Sequence, residues 1–143
     1  MTISNDSSER PEFTREADAK RTALLIAEIA QSKHAEKIVI FHVTALSSLA
    51  DFFVICSADS LPQMRAISEA VEDALSQESR QPLGVEGREG GLWFLMDYGD
   101  VIFHIFQEEA RNFYGLDRLW GDAPQIMLSP IAFEADGAEE ASN

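Results

Sequence analysis

LWFLMDYGDVIFHIFQEEARNFYGLDRLWGD, residues 92–122, begins with two apolar runs and ends in a segment crowded with aromatic side chains. Leu92 to Met96 and Val101 to Phe106 are rich in aromatic and branched residues, which suit a pleated, half-buried surface. Between them lie Asp97, Tyr98, Gly99 and Asp100, residue types that turn a chain, so the pair reads as an antiparallel hairpin. Downstream, Leu116, Leu119 and Trp120 stand at helical i, i+3, i+4 spacing and predict an apolar stripe on a short helix. Gly121-Asp122 marks its end, while Gly115 is a poor helix former and leaves the extent of that helix open.

The chain before the hairpin reads as scaffold. Ala19, Thr22, Leu25, Ile26, Ile29 and Ala30 recur at intervals of three and four, which predicts an amphipathic helix over 15–33 whose apolar face rests on a sheet. Lys37 to Val43 is branched, free of breakers and reads as a strand; His42, in register with Ile38 and Ile40, reads as a hydrogen-bonded, half-buried residue at its end. A small-residue connection, Thr44 to Ala50, leads to a second strand, Asp51 to Ser57, with Asp51 in a local turn role. Ser60-Leu61-Pro62-Gln63 has the form of a capping box. It opens a helix over 61–78 carrying Met64, Ile67, Val71 and Leu75 on one face and Arg65, Glu69, Glu72, Asp73 and Glu78 on a solvated one. Leu83 to Glu86 is long enough only for a short strand, and Gly87-Arg88-Glu89-Gly90-Gly91 reads as a flexible connection, because a phosphate loop would end in Gly-Lys-Ser/Thr and open a helix.

This order of elements predicts a single α/β domain, a mixed sheet flanked by helices, although periodicity cannot supply the strand order. Residues 1–13 read as a mobile tail, 14–123 as the folded domain and 124–143 as an extension. Within the extension, QIMLSPIAF has apolar residues suited to docking on the body, and EADGAEEASN reads as disordered.

At 143 residues and 45% hydrophobic, the chain is long enough for one real core. No apolar run reaches membrane-spanning length, and the N-terminus resembles neither a secretory signal nor an organelle presequence, so the expected compartment is the cytoplasm. Cys56, the single cysteine, lies in the apolar run DFFVICS and reads as a buried, inert thiol. Eleven basic residues against 25 acidic ones give a net charge of −14, with no Lys or Arg after Arg118. Nucleic-acid affinity depends on clustered cations, so direct RNA or DNA binding is not expected; a basic protein surface is a better electrostatic match. Acidity alone equally serves solubility.

Catalytic constellations are not apparent. His34, His42 and His104 lack partners at metal-ligand spacing, and one cysteine cannot complete a zinc site. His104 admits two readings, a binding position beside Trp93 or Asp97 or a satisfied polar group inside the sheet. For Tyr98, Arg111, Tyr114 and Trp120 the choice between core and interface is likewise open, since no spacing separates them.

DYGDVIFHIF (97–106) followed by RNFYGLDRLWGDA (111–123) resembles the signature of the ribosomal silencing factor family, RsfS, also called Iojap. Ala50-Asp51-Phe52-Phe53-Val54-Ile55 and Val85-Glu86-Gly87 resemble further stretches of that family. The resemblance implies a reduced nucleotidyltransferase-like fold lacking the catalytic acids. It also implies a translation repressor that binds the large ribosomal subunit at large-subunit ribosomal protein fourteen and sterically blocks the small subunit, without cofactor or metal. The partner-binding residues expected on this reading are Trp93, Asp97, Tyr98, Asp100, His104, Arg111, Tyr114, Trp120 and Asp122, acids meeting basic groups and aromatics supplying desolvated area. A homodimer through an exposed hairpin edge is compatible with it.

The alternative is a nucleotidyltransferase-like enzyme or nucleotide binder. That chemistry needs carboxylates converging on a divalent metal, commonly alternate acids on one strand after a Gly-Ser turn. Asp97 and Asp100 are three apart across a turn, Ser57-Ala58-Asp59-Ser60 has no glycine, and Glu16 and Asp18 fall on a predicted helix. The reading is therefore of a fold reused without its chemistry.

Overall fold

The computed structural model describes residues 12–126 and 128, with side chains from residue 15 onward. The expected tail before residue 12 and the acidic end of the chain lie outside the described residues. Ten elements follow in order: α1 (Glu12–Ser32), β1 (Glu36–His42), β2 (Phe52–Ala58), α2 (Leu61–Gln77), β3 (Gly84–Glu86), β4 (Trp93–Asp97), β5 (Val101–Gln107), α3 (Glu108–Tyr114), α4 (Leu116–Leu119) and β6 (Gln125–Ile126). No described helix is long and apolar enough to cross a membrane.

The strands form one mixed sheet in the order β3-β4-β5-β2-β1-β6. All neighbours are antiparallel except β2 and β5, which pair in parallel from Phe52↔Val101 to Ala58↔Gln107. This central pair is buried on both faces. Every residue of β2 is buried, as expected of a strand with helices on either side.

Alternation along the strands divides the core. One face presents Ile40, Phe52, Val54, Cys56, Phe94, Met96, Val101, Phe103 and Ile105 to α1 and α2. Helix α1 reaches the sheet through Ala19, Ala23, Ala27 and Ala30 around Ile26, small side chains that bring the helix close. Leu25 and Ile29, expected on that face, are only partly buried at its margin. The Cys56 thiol is sealed here, and burial pushes its pKa up to about 12 with partial relief from Arg111, which makes it inert. The opposite face carries Phe41, Phe53, Ile55 and Phe106 and is covered by α3, α4 and Trp120.

The ends of several elements are secured by specific contacts. Ser60 Oγ accepts from the Gln63 backbone N–H (3.2 Å), as the capping box requires. The Gln63 side chain, however, accepts from Asp59 N and donates to the Lys33 and His34 carbonyls, tying the start of α2 to the end of α1. His42 pairs through Nε2 with Glu16 and stacks on Phe52 at 4.6 Å. Asp51 accepts from Thr44 Oγ1 at 3.0 Å, a local role. Ile126 and Leu128 pack against the α1/α2 side of the core, so part of QIMLSPIAF docks.

The predicted short helix is two helices. Gly115 adopts a left-handed conformation (φ 68°), closing α3 and opening the single turn of α4. The break resets the helical phase. Leu116 points inward as expected, but Leu119 is 68% exposed, because one turn after a kink cannot continue the stripe.

Candidate functional site

The site is built where the open end of the hairpin, Trp93 opposite Phe106, meets the C-terminal half of α3 on the face opposite α1 and α2. Its foundation is Arg111, buried beneath α3. Its Nη1 donates to the Lys37 carbonyl and to Ser57 Oγ, both at 2.8 Å, while Nε and Nη2 form a bidentate pair with Asp117 at 2.8 Å. Lys37 lies at a register irregularity in β1 and has φ 53°, a bulge geometry that exposes a strand carbonyl to an outside donor. Arg111 therefore ties α3 and α4 to β1 and β2. Its hydrogen bonds hold the Asp117 carboxyl below the usual carboxylate range, against the opposing effect of burial.

Over this foundation lies a continuous aromatic cluster. Trp93 stacks on Phe106 at 5.0 Å and meets Tyr114 at 4.7 Å; Tyr114 contacts Phe113 edge to face at 5.2 Å. Phe53 bridges to Trp120 and to His104, both edge to face, at 5.1 and 5.2 Å. Part of this cluster is exposed to solvent. Phe113 is 80% exposed and Tyr114 43%; Leu92, which lines a pocket with Tyr114, is exposed, and so is Leu119 on α4. A shallow pocket lined by Gly87, Gly90, Leu92, Trp93 and Tyr114 sits at one end. Strand pairing places Leu95 beside His104 and Asp97 beside Ile102 on the same face, and Glu86 next to Leu95.

His104 is 5% exposed, and its Nδ1 accepts the Trp93 indole N–H at 3.1 Å. An indole nitrogen only donates, so the imidazole is neutral and carries its proton on Nε2. That Nε2 is buried without a hydrogen-bond partner among the described residues. Burial lowers the His104 pKa from 6.5 to about 4. Because the folded value lies below the unfolded one, falling pH protonates the unfolded chain first. His104 should leave stability intact above pH 6.5 and withdraw about 3 kcal/mol of it as pH falls to 4. Urea unfolding at pH 7 and pH 4.5, compared with His104→Phe, checks this; equal acid sensitivity in both proteins would remove His104 as the cause.

The nine residues expected at a partner surface separate into distinct places. Trp93, His104, Tyr114 and Trp120 come together in the cluster, though His104 lies beneath its surface. Asp97 is on the same face at the hairpin end, its Oδ1 accepting from Gly99 N at 2.8 Å. Asp122 is exposed after α4. Tyr98 lies on the opposite face, buried in the α1/α2 core with Arg80 5.7 Å from its ring centre. Asp100 pairs with Arg80 at 2.9 Å, which also bonds the Tyr98 carbonyl, so both serve the hairpin turn. Arg111 is structural in this arrangement. Sequence reasoning passed over Phe113 and the exposure of Leu92 and Leu119; the one local signal was Phe113 immediately before Tyr114, which places an aromatic on either side of one helical turn's apolar face.

Other carboxylates are also engaged in structure, as with Glu72 on Arg88 at 2.8 Å and Glu108 on Lys37. Among the described residues no group of three or more His, Cys, Asp or Glu could hold a metal ion.

Comparison with known proteins gives a consistent result. Residues 16–143 match the model of the family described as ribosomal silencing factor during starvation, RsfS. The chain is 37% identical over 110 residues to ribosomal silencing factor RsfS of Bacillus subtilis, covering 76% of this chain and 93% of that protein. It is 35% identical over 107 residues to RsfS of Halalkalibacterium halodurans, covering 75% and 92%. Protein Iojap, chloroplastic, of Arabidopsis thaliana is 32% identical over 117 residues, 82% of this chain and 49% of the plant protein. Among solved structures, a Chromobacterium violaceum protein superposes with a TM-score of 0.70 at 28% identity, covering 72% of this chain and 86% of that one. A Bacillus halodurans protein does so with a TM-score of 0.66 at 29% identity, covering 78% and 99%. The chain thus belongs to the RsfS family of ribosomal silencing factors.

Proposed function

We propose that this protein represses translation by binding the large ribosomal subunit, at large-subunit ribosomal protein fourteen, and sterically blocking the small subunit in the cytoplasm. The observation that carries the reading is the aromatic face. Phe113, Tyr114 and Trp93 form a contiguous, partly exposed set of rings, to which Trp120 is joined through the buried Phe53 and His104, and strand pairing puts the carboxylates of Glu86 and Asp97 on the same sheet face as Trp93. Exposed aromatics with carboxylates on the same face suit a basic protein surface: the rings supply desolvated contact area, and the carboxylates set orientation and on-rate. A protein with net charge −14 gains little from phosphate backbone, which favours a ribosomal protein over rRNA as the main contact.

Occlusion needs no catalysis and no cofactor. The enzymatic alternative would require carboxylates free to hold a metal, whereas Asp51, Asp97 and Asp100 are each committed to a local hydrogen bond or ion pair.

The test is co-sedimentation with isolated large subunits, followed by addition of small subunits. Wild-type protein should pellet with the large subunit and lower the yield of joined ribosomes. Phe113→Ser combined with Tyr114→Ala removes the exposed rings and should weaken binding about a hundredfold, with a small loss of Tm because Tyr114 also covers Trp93 and Phe106. Wild-type protein left in the supernatant would overturn the reading, and undiminished binding by the double variant would overturn the site.

A further inference from the structure

The docking face contains a group whose chemistry its own packing does not explain. His104 is enclosed by Phe53, Trp93 and Phe106, with ring centres 5.2, 5.8 and 6.3 Å away. Its Nε2–H is buried without a partner among the described residues, which penalises folding. A phenylalanine or leucine would fill an apolar niche of this kind without that cost. What an imidazole provides, and a hydrocarbon side chain does not, is the Nδ1 acceptor that meets the Trp93 indole N–H at 3.1 Å.

Trp93 is the hinge of the exposed cluster. Its indole lies between Phe106 below, at 5.0 Å, and Tyr114 above, at 4.7 Å, and it lines the pocket shared with Gly87, Gly90 and Leu92. Strand β4 fixes where its Cα lies but not the rotation of a large, half-buried ring. Donation of the indole N–H to a rigid, buried acceptor on the neighbouring strand fixes that rotation, and Leu95 rather than Trp93 is the residue directly opposite His104. The contact therefore runs diagonally across the strand pair, locking the indole over Phe106 and beneath Tyr114.

We infer that His104 is a positioning residue for partner docking: its Nδ1 holds the Trp93 indole in one orientation, so the Trp93–Tyr114 surface is preorganised before the partner arrives. The inference rests on the docking reading above. Holding one ring in advance removes the ordering cost of a single side chain, so its loss should weaken binding about three- to tenfold without abolishing it. The neutral state is required. The depressed His104 pKa keeps the acceptor unprotonated throughout the neutral range, so between pH 6 and 8 the contact should not vary.

The experiment follows two observables in wild-type, His104→Phe and His104→Asn proteins. The first is the indole N–H resonance of Trp93, distinguished from that of Trp120 by Trp93→Phe, together with its exchange with solvent. The second is the dissociation constant for isolated large subunits. In His104→Phe the Trp93 resonance should move and exchange faster, and binding should weaken three- to tenfold, while Tm is equal to wild type or higher. His104→Asn restores an acceptor close to the Nδ1 position and should recover both observables in part. An unmoved Trp93 resonance in His104→Phe overturns the inference, as does a freed indole with unchanged affinity. Should His104→Phe fail to fold, His104→Asn is compared with His104→Ala, and it must keep the Trp93 resonance nearer its wild-type position and bind more tightly; otherwise the inference is overturned. Wild-type protein without affinity for large subunits overturns the docking reading instead, whatever the indole does.

Discussion

Arg111→Met will lower stability by about 3–5 kcal/mol, since a buried hydroxyl, a strand carbonyl and a partly exposed carboxylate each lose their donor at about 1–3 kcal/mol per group. The Arg111 side chain is 7% exposed, and its guanidinium satisfies the Asp117 carboxylate, Ser57 Oγ and the carbonyl of Lys37 at once. Methionine fills much of the volume and answers none of these groups, so a carboxylate, a hydroxyl and a bulged strand carbonyl are left wanting donors. For a chain of this size the loss corresponds to about 10–15 °C in Tm. Arg111→Lys should rescue little, because an ammonium cannot reproduce the bidentate fork on Asp117 while also reaching Lys37. Because the Asp117 carboxyl is held below its ordinary range when folded, its share of this stability is present above the usual aspartate pKa and disappears as pH falls below it. Thermal unfolding of Arg111→Met and Asp117→Asn, singly and together, is the check. Singles close to wild type would show that α3 is held down by apolar packing alone.

Gly87→Ala is expected to cost about 3 kcal/mol or more, from a strained backbone together with a steric collision. Gly87 has φ +88°, and a Cβ there would run into the carbonyl oxygen of Trp93, with the backbone of Trp93 and Phe94 behind it. Neither atom is the end of a flexible side chain. The strand β4 must move, and Trp93 moves with it, so affinity for the large subunit should fall beyond what the stability loss explains. Gly84→Ala is the matched control, since no atom lies within 4 Å of a Cβ built there. Urea denaturation of both variants separates the cases. A Gly87→Ala protein as stable as Gly84→Ala would mean that the 87–91 turn is loose enough to absorb the side chain.

Much of the fold was legible because hydrophobic periodicity is a local property. The 3.6-residue pattern from Ala19 to Ala30, the Ser60 cap and the branched runs in β1, β2, β4 and β5 each state their element within a few residues, and the structure has those elements within a residue or two, save that α1 begins at Glu12. The turn at Asp97 to Asp100 was equally plain. Its carboxylates are bound to Gly99 N and Arg80, which is turn chemistry more than partner chemistry. Gly115 signalled a weak helix, yet whether it would fray, kink or divide the helix depended on what lay beneath it.

What the sequence by itself determined is the α/β character, the hairpin, the net charge of −14 and, through the motif from Asp97 to Ala123, the family. The tertiary structure alone decided which side chains share a surface. Alternation already puts Tyr98 and Trp93 on opposite faces of one hairpin, but only the packing of α1 and α2 on one face and of α3 and α4 on the other makes Tyr98 core and leaves Trp93 in a partly exposed cluster. Arg111, Ser57 and Lys37 meet across 54 and 74 residues of chain, and no spacing rule reports such a meeting. The reason is physical: periodicity records how a segment divides its surface between apolar and polar, whereas the identity of the apolar neighbour is fixed only when distant segments pack together.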